Sequence, residues 1–173
     1  MKKIVFLFPL FALSVLAQSG DNPISTAIKG GYTNVKTNLI KAAEKMPEDA
    51  YSFKATDDVR SFGQLVGHIA NANYHFCAAA AGEASPSTIN IEKETTSKAD
   101  LVQSLKDAFA FCDKVYEGMT DAKGAEKVKM GRNEVARLGL LATNTSHSNE
   151  HYGNIVTYMR LKKLVPPSSE PRN

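Results

Sequence analysis

Four histidines, two cysteines and one glutamate are the side chains of this sequence whose types and spacing can do chemistry. His147 and His151 stand four residues apart. On a helix that spacing stacks their rings with Cβ atoms about 6 Å apart, close enough to share one metal ion. His68 falls between Leu65 and the pair Ile69 and Ala72, so on a helix it points into the interior those side chains fill. Three imidazole nitrogens with a fourth position left to water or substrate make the open kind of site that a catalytic metal uses. His75 follows His68 by seven residues, about 10 Å along a helix axis. It is left out of the ligand set because metal–nitrogen bonds are only ~2.0 Å long.

Spacing alone leaves blander readings open. An interior histidine is commonly a hydrogen-bonded core residue, and a pair four apart is commonly a solvated coincidence. The turn Thr143-Asn144-Thr145-Ser146 tilts the balance, being polar in mid-helix where a bundle prefers apolar residues, as though it lined a cavity. Buried polar groups need partners, and a metal site with outer hydrogen bonds supplies them. His147-Ser148-Asn149-Glu150-His151 also fits H-x-x-E-H, the zinc-protease pattern whose glutamate is a general base. That reading needs a carboxylate ligand downstream. The one acid available, Glu170, lies beyond Pro166-Pro167 in a tail expected to be mobile, so the protease reading is set aside. Glu150 stays as the candidate catalytic residue, a base or a group supporting the ligands, against the alternative of a surface side chain pointing away.

The elements that must position these residues follow the helical period. A first helix begins at Asn22 as N-cap with Pro23 next, carries the stripe Ile24, Ile28, Gly31, Val35, Leu39, Ala42 and Met46, and ends at Pro47. Residues 47–60 form a connection. A second helix opens on Ser61 and Gln64 as a capping box, with the stripe Phe62, Leu65, Ile69, Ala72, Phe76 and Ala79 and a C-cap at Gly82. Residues 83–97 contain Pro86 and are too polar and unpatterned for an element, so they read as a long crossover. A third helix starts near Ser97, with the stripe Leu101, Leu105, Ala108, Cys112, Val115 and Met119. After a loop around Gly124 and Gly131, a fourth runs from about Asn133 to Leu164 and stops at Pro166-Pro167. No alternating strand pattern is visible. The expected fold is all-α, a four-helix bundle with a long crossover between helices two and three.

The chain has 173 residues, 43% hydrophobic and 23% charged, which suits one soluble globular domain. Its formal charge of +3 owes something to Lys2 and Lys3, and no basic cluster interleaved with aromatics suggests a nucleic-acid partner. Those two lysines open a targeting segment, followed by apolar Ile4 to Leu16 and the small-residue cleavage site Val15-Leu16-Ala17. Thirteen apolar residues broken by Pro9 fall short of the roughly 20 that span a bilayer. Residues 1–17 are thus expected to be a cleaved signal peptide and 18–173 the exported domain, periplasmic or secreted. With Gln18 where a lipidated chain needs Cys, no stable membrane anchor is expected. In an oxidising compartment Cys77 and Cys112 are expected to pair rather than remain as free thiols, and thiolate ligands rank last because C-x-x-C spacing is lacking.

Gly67-His68-Ile69-Ala70, His147-Ser148-Asn149-Glu150-His151-Tyr152-Gly153-Asn154 and the tail from Tyr158-Met159-Arg160-Leu161 to Val165-Pro166-Pro167-Ser168 together resemble the DinB superfamily of small metalloproteins. The resemblance implies a four-helix bundle, often a homodimer, whose histidine triad binds one divalent ion, zinc, nickel or iron. Carried onto this chain, the ligands are His68, His147 and His151. Characterised members include thiol-dependent S-transferases and isomerases, which implies a metal-dependent enzyme of thiol S-transferase or hydrolase type acting on a small-molecule substrate. The alternative is a non-catalytic metal- or ligand-binding protein of the envelope. The signal peptide departs from the family pattern, since the thiol cofactors of those members are cytosolic.

Overall fold

The computed structural model describes residues 21–171; the expected signal peptide and its cleavage point lie outside them. Four long helices form the body: α1 (Pro23–Lys45), α2 (Phe62–Ala81), α4 (Lys98–Glu117) and α6 (Arg137–Leu161). Between them lie the short α3 (Ile91–Glu94), α5 (Asp121–Ala125) and a hairpin of β1 (Lys127–Met130) and β2 (Asn133–Ala136). Side-chain contacts give the directions of the bundle. Gly63 faces Leu101 and Cys77 meets Cys112, so α2 and α4 run parallel. Arg137 reaches Ala80 while Tyr158 reaches Arg60, so α6 runs antiparallel to α2. Tyr32 meets Asp113 and Lys98 meets Glu44, which sets α1 antiparallel to α4. Around the bundle the order is α1, α6, α2, α4.

This topology explains the length of the crossover. A chain leaving the end of α2 must return along all 20 of its residues, about 30 Å at 1.5 Å per residue, before the parallel α4 can begin. The return path holds structure that its polarity conceals. α3 is a single turn within the crossover, anchored by buried Ile91. The expectation that residues 83–97 hold no element is corrected there.

Helix ends show which signals act locally. At α2 the Ser61 side chain accepts from the Gln64 N–H at 3.2 Å and the Gln64 side chain accepts from the Ser61 N–H at 2.9 Å, closing the expected capping box. Gly82 ends the helix at φ 76°, the left-handed conformation that glycine adopts at least cost. Ser97 caps α4 by accepting from the Asp100 N–H. The start of α1 differs, because the Asn22 side chain makes no cap bond to its own helix. Instead the Asp121 carboxylate accepts from the N–H groups of Ile24 and Ser25, at 3.1 and 2.7 Å, and Asn22 Oδ1 accepts from the Asp121 N–H.

Two further corrections concern the segment before α6. The expected loop contains α5 and an antiparallel hairpin with Lys127 opposite Ala136, turning at Gly131 with φ 61°. Its four-residue strands are too short for alternation to stand out in the sequence. Because Asn133–Ala136 belong to β2, α6 begins at Arg137 and not near Asn133.

The predicted stripes supply core residues such as Leu39, Phe62, Ile69 and Leu105, though Ile24 of the first stripe is 59% exposed, and Phe109, Leu141 and Ile155 join the core from outside those stripes. The Cys77–Cys112 disulfide, with Cα atoms 5.4 Å apart, ties α2 to α4 inside that core. Beside it Asn144 Nδ2 donates to Asn73 Oδ1 at 3.0 Å and to the Tyr116 hydroxyl at 3.2 Å. The polar turn 143–146 thus sends Asn144 into a core network, while Thr143 and Ser146 face outward. The tail beyond Pro166-Pro167, expected to be mobile, packs back on the bundle: Lys45 Nζ meets Glu170 Oε1 at 2.6 Å and Ser168 bonds Tyr152. No described helix is long and apolar enough to cross a membrane.

Candidate metal centre

The antiparallel packing of α2 on α6 brings His68 opposite His147 and His151. The Nε2 atoms of His68 and His147 lie 3.2 Å apart, and those of His151 and His147 lie 3.1 Å apart. All three ligand nitrogens fall within 4.8 Å of one another. His151 is buried, at 7% exposure, and the other two rings are half-buried.

The outer side of the His68 ring bears on which of its nitrogens faces inward. His68 Nδ1 lies 3.0 Å from Glu92 Oε2. Glu92 is held ionised: burial pushes its carboxyl up, but hydrogen bonds from Arg60 and His68 outweigh that and leave it below the ordinary carboxylate range. An ionised carboxylate only accepts, so His68 Nδ1 donates to it and Nε2 is the ring atom that faces the other histidines. Asn154 lies 3.3 Å from His151 Nδ1. Burial, then the neighbouring His68, lowers the His147 pKa. Burial, then His147 and His68, brings His151 down to about 4. Neutral rings are the form that binds a metal.

Three imidazole nitrogens converging within 4.8 Å in a partly buried space make a site that a single cation can bridge. Burial and the nearness of the rings to one another disfavour protonating His147 and His151, which keeps their nitrogens available as donors. A shared divalent ion suits the donor set, because imidazole nitrogens serve zinc, nickel, copper and iron alike, and three protein ligands leave coordination open to a further group. The side chains present therefore fit a bound metal.

Residues 32–155 match the model of the DinB superfamily. The chain belongs to that superfamily. Its fold is similar to that of a DinB-like protein from Bacillus cereus, with a TM-score of 0.71 at 17% identity over 82% of this chain and 95% of that one. It is also similar to a DinB-like protein from Bacillus subtilis, with a TM-score of 0.68 at 23% identity over 85% of this chain and 99% of that one. No curated protein matches the sequence.

In this DinB-superfamily chain the three expected histidines come together, while the other candidates stay apart. His75 is exposed on α2 and contacts Phe76. Glu150 is exposed on α6 and contributes no atom to the cluster, although its charge reaches His147 and His151. Glu170, the distant acid considered as a protease ligand, is bound to Lys45. Sequence reasoning missed Glu92 and Arg60, whose Nε donates to Glu92 Oε1 at 2.9 Å. The available signal was Ile91, an apolar residue in a polar crossover, which marks where that segment docks.

A cavity of about 530 Å³ opens beside the cluster. His151, Asn154 and Tyr158 from α6 line it together with Arg60, Gln64 and Glu92. Tyr158 is fixed there by donating its hydroxyl proton to the Arg60 carbonyl at 2.6 Å. Such a volume suits a small molecule.

Proposed function

We propose that this chain is an exported metal-dependent enzyme whose His68, His147 and His151 hold one divalent ion, zinc, nickel or iron, and whose adjoining cavity seats a small-molecule substrate for thiol S-transfer or hydrolysis. The observation that carries this reading is the convergence of three Nε2 atoms at the wall of an open cavity. A bound ion would supply Lewis acidity, polarising a substrate thiol or a water. The chain's own residues do the rest. Glu92 holds the His68 ring, Asn154 contacts the outer nitrogen of His151, and Tyr158 with Arg60 shapes the cavity wall. Glu150, exposed next to His151 in the chain, is the proposed proton acceptor. Export is supported by the buried Cys77–Cys112 bridge, which belongs to oxidising compartments, and by the leader-like first 17 residues.

Cobalt substitution tests whether the ion is open to ligands. Titrating cobalt-loaded protein with a small thiol or a hydroxamate should shift its visible absorption as the added group joins the coordination sphere. An unchanged spectrum at millimolar ligand would contradict the enzyme and favour a closed, structural ion in an envelope binding protein.

A further inference from the structure

α3 is a single turn of helix, too short to be stable alone, so whatever holds it has a position to enforce. It is held in three ways. Ile91 is buried, the Ile91 N–H donates to Asn71 Oδ1 at 3.1 Å, and Asn71 Nδ2 donates to Asn90 Oδ1 at 3.0 Å. The third is contact of backbone with backbone. A Cβ built on Gly67 would lie 2.7 Å from the Glu92 Cα and 2.9 Å from the Glu92 nitrogen, closer than real Cβ atoms approach. Only glycine at position 67 lets α3 lie this near α2.

The result of that approach is the Glu92 side chain, which reaches His68, the residue after Gly67 in the chain. One carboxylate oxygen accepts a hydrogen bond from His68 Nδ1 at 3.0 Å and the other accepts one from Arg60 Nε at 2.9 Å. With both oxygens engaged, the carboxylate cannot swing away from the ring. We propose that Glu92 is a positioning residue of the metal centre: α3 delivers it to Nδ1 of His68, it fixes that ring's tautomer and aim, and Gly67 is the residue that admits it. The crossover is on this view part of the site. Partners of this kind hold a metal-ligating imidazole in orientation and strengthen it as a donor, and losing one lowers metal affinity by ~10–100-fold. In its metal-affinity part this inference rests on the proposed metal site; the tautomer can be read without any ion.

The test uses the full mature chain and three variants, Glu92→Ala, Glu92→Gln and Gly67→Ala, with two readouts. Zinc affinity, measured by competition with a chelator, should fall ~10–100-fold in Glu92→Ala and less in Glu92→Gln, whose amide oxygen still accepts. Gly67→Ala should lose affinity while its carboxylate remains, because the added methyl forces α3 away. The melting temperature of metal-free Glu92→Ala should stay near the parent's, which separates positioning from folding. The second readout, ¹⁵N NMR of the imidazoles in metal-free protein, should show His68 protonated at Nδ1 in the parent and a mixture of tautomers in Glu92→Ala. Parent-like zinc affinity in Glu92→Ala, or a parent His68 protonated at Nε2, overturns the inference. A parent that binds no zinc defeats the metal reading instead, and the tautomer measurement then decides this one alone.

Discussion

Nε2 of His68 and Nε2 of His147 lie 3.2 Å apart, although 79 positions separate them in the chain. The contact exists because α2 and α6 run antiparallel. It brings a single histidine from one helix against a pair on the other, so the site forms only when the bundle is closed. Metal binding and folding are then coupled, since an ion that binds the closed bundle better than the open chain stabilises it.

The Cys77–Cys112 bridge closes a 35-residue separation between parallel helices. Replacing both cysteines with alanine should cost roughly 2–4 kcal/mol and lower the melting temperature, with metal occupancy kept because no sulfur belongs to the histidine cluster. An undiminished melting temperature, or loss of the ion, would count against this. Intact mass of protein from its native host gives a second check: without prior reduction it should take up no alkylating agent, and it should lack residues 1–17.

Asn144 links Asn73 and Tyr116 beside the bridge and is fully buried. Asn144→Ala leaves those partners short of a hydrogen bond in a space closed to solvent. The expected loss is about 1–3 kcal/mol, read from a denaturant midpoint. A variant as stable as the parent would mean the network does not hold the core.

Asp121 makes stability depend on pH through the start of α1. The backbone hydrogen bond from Ser25, the largest effect, together with those from the Ser25 side chain and from Ile24, holds its pKa below the ordinary 3.8 although burial pushes it up. A depressed carboxylate contributes stability above its unfolded pKa and loses it as the pH falls through the folded one. Asp121→Asn should therefore melt lower than the parent at neutral pH. The gap should close as the pH drops below 3.8, and a gap constant with pH would refute the charge's role.

What could be read from the sequence was what short-range contacts determine. Ser61, Gln64 and Gly82 set the ends of α2 through bonds to residues within a turn or so, and His147 with His151 declare their geometry by spacing alone. Features fixed by distant partners were not legible. Asn22 has the right type for an N-cap, yet Asp121, 97 positions from Ile24, takes that role. α3 is held by Ile91 and Asn71 rather than by any period of its own, so Glu92 could not be placed against His68 from its neighbours in the chain. Asn144 looked like a cavity lining because its partners, Asn73 and Tyr116, lie on other helices.

The central claim is that three histidines of the bundle share one ion, and elemental analysis of protein purified without an added histidine tag tests it most directly. The expected result is about one divalent ion per chain, abolished by His147→Ala or His151→Ala and unaffected by His75→Ala, whose ring is exposed away from the cluster. A parent protein that retains no ion when supplied with zinc, nickel and iron, or equal loss from His75→Ala, would contradict the assignment.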